Sequence, residues 1–332
     1  MNPLRNSVSQ LVGGYRITQI IGAACRLDLF DQIDNGSMSL EKLSRVLKAK
    51  PFLLIRVLDV LVNLDLLSLK NRKYTVTPMG KFLCRDHPSS IKHFAIMSSS
   101  SWYWNPWARL HEVLVTGKSG FIIEHKEAAF EYMKSHKSAA DDFHRAMGTN
   151  VNPIPSVLER SIRMSSVKTI LDLGGGDGSL ALSVAGYFSQ VRVTVGDLSH
   201  AEKRAKGKIR KSPSKNRVDF KVMDFFKPIL KKYDLIILRH ILHDWSDDKA
   251  KIILRRCKAA LNASGVIIVM ERTKSGDSSR QTLLANVEMI VAMELGVERT
   301  KLEFKKIFKD VGLKATTEYH DSIVRDVFLL RK

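Results

Sequence analysis

Apolar residues recur at helical spacing over the first thirty positions (Val8, Leu11, Val12, Tyr15, Ile20, Ala24, Leu27), which predicts one amphipathic helix from 8 to 30. Gly13 and Gly14 fall inside it, each costing about 1 kcal/mol relative to alanine, so the helix is expected to pack on something. The segment SMSLEKLSRVLKAKPFLLIRVLDVLVNLDLLSLKNRKYTVTP then reads as helix, turn, helix and a two-stranded wing around 71–76. Tyr74 and Val76 alternate with polar residues there, and Pro78-Met79-Gly80 closes the wing. This is a winged-helix pattern. A helical stretch follows from 98 to 147, entered by SSSSWYWNPWARL, whose three tryptophans and one tyrosine read either as core at a domain seam or as an aromatic wall for a flat substrate.

After NPIPS the pattern changes. Short apolar runs (VKTILDL, VRVTVGD, VDFKVMD, YDLIILR, GVIIVME, DVFLLRK) alternate with helical stretches, which specifies a mostly parallel sheet with helices on both faces. The expected boundaries are an N-terminal helical and winged-helix domain at 1–98, a helical connector at 99–155 and an α/β domain at 156–332.

The 332 residues, 44% hydrophobic, suffice for two domains, and no apolar run approaches the roughly 18 residues that span a bilayer. The N-terminus MNPLRNSVSQ lacks the layout of a signal peptide, so a cytoplasmic location is expected. Cys25, Cys84 and Cys257 form no CxxC pair and indicate neither a disulfide framework nor a thiolate zinc site. A formal net charge of +20 raises the prospect of a nucleic-acid partner. Its densest block, EKRAKGKIRKSPSKNR at 202–217, spreads basic residues over every face without interleaved aromatics, and reads as a solvated helix and loop.

Candidate chemistry begins at ILDLGGGDGSL. Gly174, Gly175, Gly176 and Gly178 lie between a strand ending at Leu173 and a helix starting near Ser179, where glycine lets the backbone turn tightly and approach a ligand. A dinucleotide fingerprint counted from the strand end meets Ser179 where a glycine or alanine is required, and no GKS or GKT follows to make a P-loop. Asp197 ends the second strand, placed to accept ribose hydroxyls. Asp224 precedes Phe225 and Phe226, an acceptor and a flat surface suited to adenine. The fourth strand runs into LRHILHDW. His240, His243 and Asp244 there are metal ligands, a base with its orienting acid, or a polar rim, and no CxxC or HExxH accompanies them to complete a metal set.

The elements DLGGGDG, GD after the second strand, MDFF, LRHILHDW and ERT occur in the order and spacing of the S-adenosylmethionine-dependent small-molecule O-methyltransferases, and the chain resembles that family over nearly its whole length. The family includes plant caffeate and flavonoid enzymes, acetylserotonin methyltransferase and bacterial polyketide-tailoring enzymes. The resemblance implies an α/β, Rossmann-like class I methyltransferase domain with an N-terminal all-helical and winged-helix dimerisation domain, an intertwined homodimer, and S-adenosyl-L-methionine as cofactor. It implies that Asp172, Gly174, Gly176, Asp197, Leu198, Asp224, Phe225 and Arg239 contact the cofactor. His243 matches the family's general base, and Glu271 and Glu298 match the carboxylates that bracket it. Phe143, Met147, Trp104, Asp244, Met289 and Met293 are the implied acceptor-side residues, Met289 and Met293 sharing a helical face by their four-residue spacing.

A phenol ionises near pH 10, so a histidine that takes its proton during attack on a sulfonium methyl group is worth about 10² to 10⁴ in rate. His240 is read as a structural histidine, and Asp244 and Trp245 as fixing the loop that carries the base. The expected activity is O-methylation of a phenolic hydroxyl on an aromatic, polyketide-type small molecule. Two alternatives remain: a winged-helix DNA-binding regulator, and an enzyme using the same cofactor for non-methylating chemistry. Departures from the family pattern are Val151 in place of a polar cofactor contact, Asn286 in place of an acid, Met293 in place of a polar acceptor contact, and Arg239 where lysine is common.

Overall fold

The computed structural model describes residues 2–34, 36–148, 151–294, 296–321 and 325–332. Two compact units divide the chain: one runs to Trp104 and takes in 145–149, and the other comprises Asn105–His144 and 150–332.

In the N-terminal unit the expected single helix is broken into Pro3–Val12, Gly14–Arg26 and the start of Leu29–Ile33, the first two separated at Gly13. The first buries no side chain, leaving Leu4, Val8, Leu11 and Val12 exposed, so the packing expected for it is not supplied within one chain. Helices Leu40–Leu47 and Pro51–Asn63 follow, the first capped by the Ser39 hydroxyl. Leu54, Leu58 and Leu61 turn one stripe of Pro51–Asn63 into a core shared with Leu29, Phe30, Ile33 and Leu43. Phe52, Leu53 and Ile55 occupy the other side, exposed. Arg56, Asp59 and Asn63 are exposed on the same helix. Strands β1 (Leu67–Lys70) and β2 (Lys73–Val76) pair antiparallel across Asn71-Arg72. Both loop residues have positive φ (50° and 60°), the conformation of a two-residue type I′ hairpin.

The C-terminal unit is built on β3 (Thr169–Leu173), β4 (Arg192–Asp197), β5 (Val218–Val222), β6 (Tyr233–Arg239), β7 (Leu261–Glu271), β8 (Lys314–Asp321) and β9 (Arg325–Arg331). Their order in the sheet is β5-β4-β3-β6-β7-β9-β8. Pairings from β5 through β7 are parallel, and β9 and β8 add antiparallel at the edge. Leu235, Ile236, Ile237 and Leu238 of β6 are all fully buried because helices cover both faces of the sheet. One face packs under Ile154–Ser161, Ser179–Tyr187 and Ser199–Arg210, and the other under Asp247–Ala259 and Lys301–Asp310. The chain leaves β3 in one direction for β4 and β5, then returns to place β6 on its other side. The switch point of the sheet therefore lies between the carboxyl ends of β3 and β6, where ligands bind in open α/β folds. Among the described residues, no helix is long and apolar enough to cross a membrane.

Candidate active site

After β3 the backbone turns through Gly174, Gly176 and Gly178, whose φ values of +75°, +55° and +77° disfavour any side chain. At Gly174 a Cβ would also stand 2.2 Å from Ile241 Cδ1. The turn is tied to the next strand by Asp197. One carboxylate oxygen accepts Gly176 N–H at 2.7 Å and the other accepts Leu198 N–H at 2.6 Å, leaving a lone pair on each for a ligand. Asp172 is buried beneath the turn, and its Oδ2 has no hydrogen-bond partner among the described residues. Burial pushes its carboxyl up to about 7, against the pull of the nearby Arg239 charge. Burial likewise pushes Asp197 up to about 6. Asp224 turns back on its own loop to accept Phe226 N–H at 2.9 Å. Phe225 meets Phe226 edge-on at 5.2 Å, and Trp245 lies against both, at 5.7 and 4.8 Å between ring centroids. A glycine cradle, an orphaned buried carboxylate oxygen and two strand-end acids beside an aromatic cluster fit a nucleoside bearing an amino-acid chain.

The basic block at 202–217 is not wholly a solvated face. Lys208 Nζ reaches Asp177 Oδ2 at 3.0 Å and Arg204 Nε stands 3.6 Å from the same oxygen, so two of its cations neutralise a carboxylate of the glycine turn that is 3% exposed.

Beyond Arg239 the chain passes through His240 in the left-handed region (φ 53°) into a single turn, Leu242–Asp244. Glu271, the last residue of β7, is fully buried and holds that turn: Oε1 accepts Ile241 N–H at 3.0 Å and Leu242 N–H at 2.7 Å. Its other oxygen faces His243 Nδ1 at 3.8 Å and His240 Nδ1 at 3.9 Å. Glu298 Oε1 stands 3.3 Å from His243 Nδ1, and its own backbone N–H is held by Asn286 Oδ1 at 3.0 Å. Asn286, noted in the sequence as a replaced acid, thus positions a carboxylate. His243 Nε2 points away from both glutamates, 3.4 Å from Asp244 Oδ1. Burial alone would make His243 hard to protonate; the charges of Glu271, Asp244 and Glu298 overcome it and push the imidazole up to about 10. The same burial pushes Glu271 up to about 7 and Asp244 up to about 6. These groups exchange protons with one another and titrate as a cluster.

His240 lies beside this cluster in space, its ring 5.6 Å from that of His243. Arg299 holds the loop. It is 1% exposed and donates to Leu242 O at 2.7 Å, Trp245 O at 2.6 Å and Asp247 Oδ1 at 2.9 Å. Just after it, Thr300 and Glu303 form a reciprocal capping box that starts helix Lys301–Asp310 and anchors the Glu298-Arg299 segment.

Among the acceptor-side residues, Phe143 packs edge-on against Phe130 at 6.2 Å, and Met289 and Met293 are buried. Helix Arg280–Ala292 stops before Met293, which is extended (φ −116°, ψ 149°), so the two methionines do not share a helical face as their spacing suggested. Trp104 and Met147 belong to the N-terminal unit, where Met147 is exposed. Two features had no sequence signal. His144 Nε2 and His200 Nδ1 are hydrogen-bonded at 2.9 Å across 56 positions, beside Gly176, and Glu288 is pushed up to about 7 by burial and by the Glu298 charge.

An open sheet with a glycine turn and acids at successive carboxyl ends is the Rossmann-like architecture of class I methyltransferases. Residues 107–314 match the family model of the O-methyltransferase domain, and residues 9–86 match that of the O-methyltransferase dimerisation domain. The chain belongs to this family: it is an S-adenosylmethionine-dependent O-methyltransferase, and S-adenosyl-L-methionine is its cofactor. It is 27% identical to the phenazine O-methyltransferase PhzM of Lysobacter antibioticus, over 93% of this chain and 91% of that one. To the acetylserotonin O-methyltransferase of Gallus gallus it is 26% identical, over 96% of each. The crystal structure of LaPhzM superposes with a TM-score of 0.90 at 25% identity, covering 99% of both chains.

Proposed function

We propose that the enzyme methylates a phenolic hydroxyl of an aromatic small molecule, with His243 as general base. The observation that carries this reading is the orientation of His243. Its Nδ1 faces Glu298 and Glu271, while Nε2 is turned away from them, beside Asp244 Oδ1 at 3.4 Å. Glu298 holds the tautomer with the proton on Nδ1 and stabilises the imidazolium formed when Nε2 takes the phenolic proton. The charges of Glu271, Asp244 and Glu298 push the imidazole up, which makes it a stronger base toward a phenol. Bound S-adenosyl-L-methionine supplies an electrophilic methyl group. Asp197 and Asp224 are assigned to its ribose and adenine, Phe225 to the adenine face, and Leu198 and Arg239 to its flanks. Gly174 and Gly176, together with Asp172, are assigned to its amino-acid end.

Support for an aromatic acceptor comes from Phe143, Met289, Met293 and Asp244 in the catalytic unit, and from relatives named for phenazine, O-demethylpuromycin and norcoclaurine. Retention of the base favours methyl transfer over other uses of the cofactor. A homodimer is proposed from the dimerisation-domain match and from the bare apolar face of Pro3–Val12, which a second chain would cover. Three buried, unpaired cysteines suit a cytoplasmic setting. The test is His243→Gln: product formation should fall by about 10² or more while S-adenosylhomocysteine binding is kept. Undiminished turnover removes the base.

A further inference from the structure

We infer that the base cluster is also a binding site for a zinc-class divalent cation, held by His240 Nδ1, His243 Nδ1 and Glu271 Oε2, and that its occupancy stops methyl transfer. One ligand atom from each of the three residues lies within 4.8 Å of the others, and Glu271 Oε2 is 3.9 Å from His240 Nδ1 and 3.8 Å from His243 Nδ1. Bonds of roughly 2.0–2.2 Å let one cation join donor atoms up to about 4 Å apart, so only the two rings need to close, by under about 1 Å. Glu271 Oε2 is fully buried, aimed between the imidazoles, and without a hydrogen-bond partner among the described residues. Its companion oxygen is fixed by two backbone N–H groups, the kind of outer support that orients a ligating carboxylate. Two imidazoles and one carboxylate select zinc, cobalt or nickel over magnesium and calcium, which prefer all-oxygen sites. His240, with a side chain 30% exposed, gives the cation a way in from solvent.

Binding does not depend on the proposed base, but the inhibition does. A neutral imidazole carries one proton. A cation on His243 Nδ1 takes the lone pair of that nitrogen, so the single proton sits on Nε2, the atom that would otherwise accept from the phenol. The ring is then a donor where catalysis needs an acceptor.

The experiment uses the full chain, stripped with a chelator and titrated with cobalt(II) for its visible absorption and with zinc(II) by calorimetry. His240→Asn is the informative variant because asparagine tolerates a left-handed backbone, and His240→Gln is run beside it with an unfolding midpoint for each. One cation per chain is expected in the native protein, with affinity weakened about tenfold or more in both variants. Saturating zinc should cut native turnover by at least about tenfold, reversibly by chelator, while each variant keeps most of its own metal-free rate at that concentration. Absence of stoichiometric binding, or equal binding by folded His240 variants, overturns the site even if His243→Gln is inactive. Binding that requires His240 yet leaves turnover intact overturns the inhibition and the role of Nε2 with it.

Discussion

Glu271→Gln probes how the base is tuned. The amide keeps an oxygen for Ile241 N–H and Leu242 N–H, and replaces an anion 3.8 Å from His243 Nδ1 with a neutral group. At that separation and an effective dielectric of about 20, the lost attraction is about 4 kcal/mol, or about three pH units in the imidazole. The sign follows from which form the anion favours. Carboxylates stabilise the imidazolium and push His243 up, so removing one favours the neutral ring and lowers its pKa by about that much. A base acts only when unprotonated. The native enzyme's kcat/KM should therefore climb about tenfold per pH unit toward about pH 10, and the variant's should level off about three units earlier, at a lower plateau because the base is weaker. Initial rates from pH 6 to 10.5 on one acceptor measure this, since ionisation of the phenol is common to both proteins. Coincident ascending limbs would refute the tuning argument.

Arg299→Lys keeps a charge but cannot reach the acceptors that the guanidinium fork serves. Loss of the bonds to Leu242 O and Trp245 O should cost about 3 kcal/mol in urea unfolding, while the exposed Asp247 adds little; a loss under about 1 kcal/mol contradicts the clamp. Gly174→Ala forces a side chain onto a φ of +75° and against Ile241, and should weaken S-adenosylhomocysteine binding by calorimetry about tenfold or more, whereas unchanged binding would remove the turn from the cofactor site. His144 is pushed down to about 4 by burial, with the charge of His200 adding to it. Its folded value lies below the unfolded one, so its contribution to stability is complete above about pH 6.5 and is lost toward about pH 4, some 3 kcal/mol in all. The native protein should lose about that much more stability than His144→Asn between pH 7 and 4 at fixed protein concentration; parallel losses would refute it.

The parallel core of the sheet was legible because β3, β4, β6 and β7 are apolar on both faces and read as continuous runs. β8 was not. KATTEYHD is an edge strand with little buried side chain, so it carries no apolar run to find. The opening helix was read through Gly13 because the apolar spacing continues across it, while the backbone breaks there. His243, Glu271 and Glu298 stood out as polar residues at strand ends, but their meeting depends on β6 and β7 pairing in a register that sets Arg239 beside Met270. The left-handed turn that brings His240 to Glu271 has no signature in RHILH. Arg299 lies inside ERT, where an arginine beside a glutamate reads as surface charge, and only the fold shows it buried on two carbonyls. His144 and His200 are joined by nothing in the spacing at all.

The central claim, that His243 removes the phenolic proton, is tested most directly by comparing native enzyme and His243→Gln on acceptors of graded acidity at one pH. The account predicts a rate ratio of about 10² or more for a phenol of pKa near 10, shrinking toward one for an acceptor already ionised in the assay. A ratio that stays constant across the acceptors would contradict it.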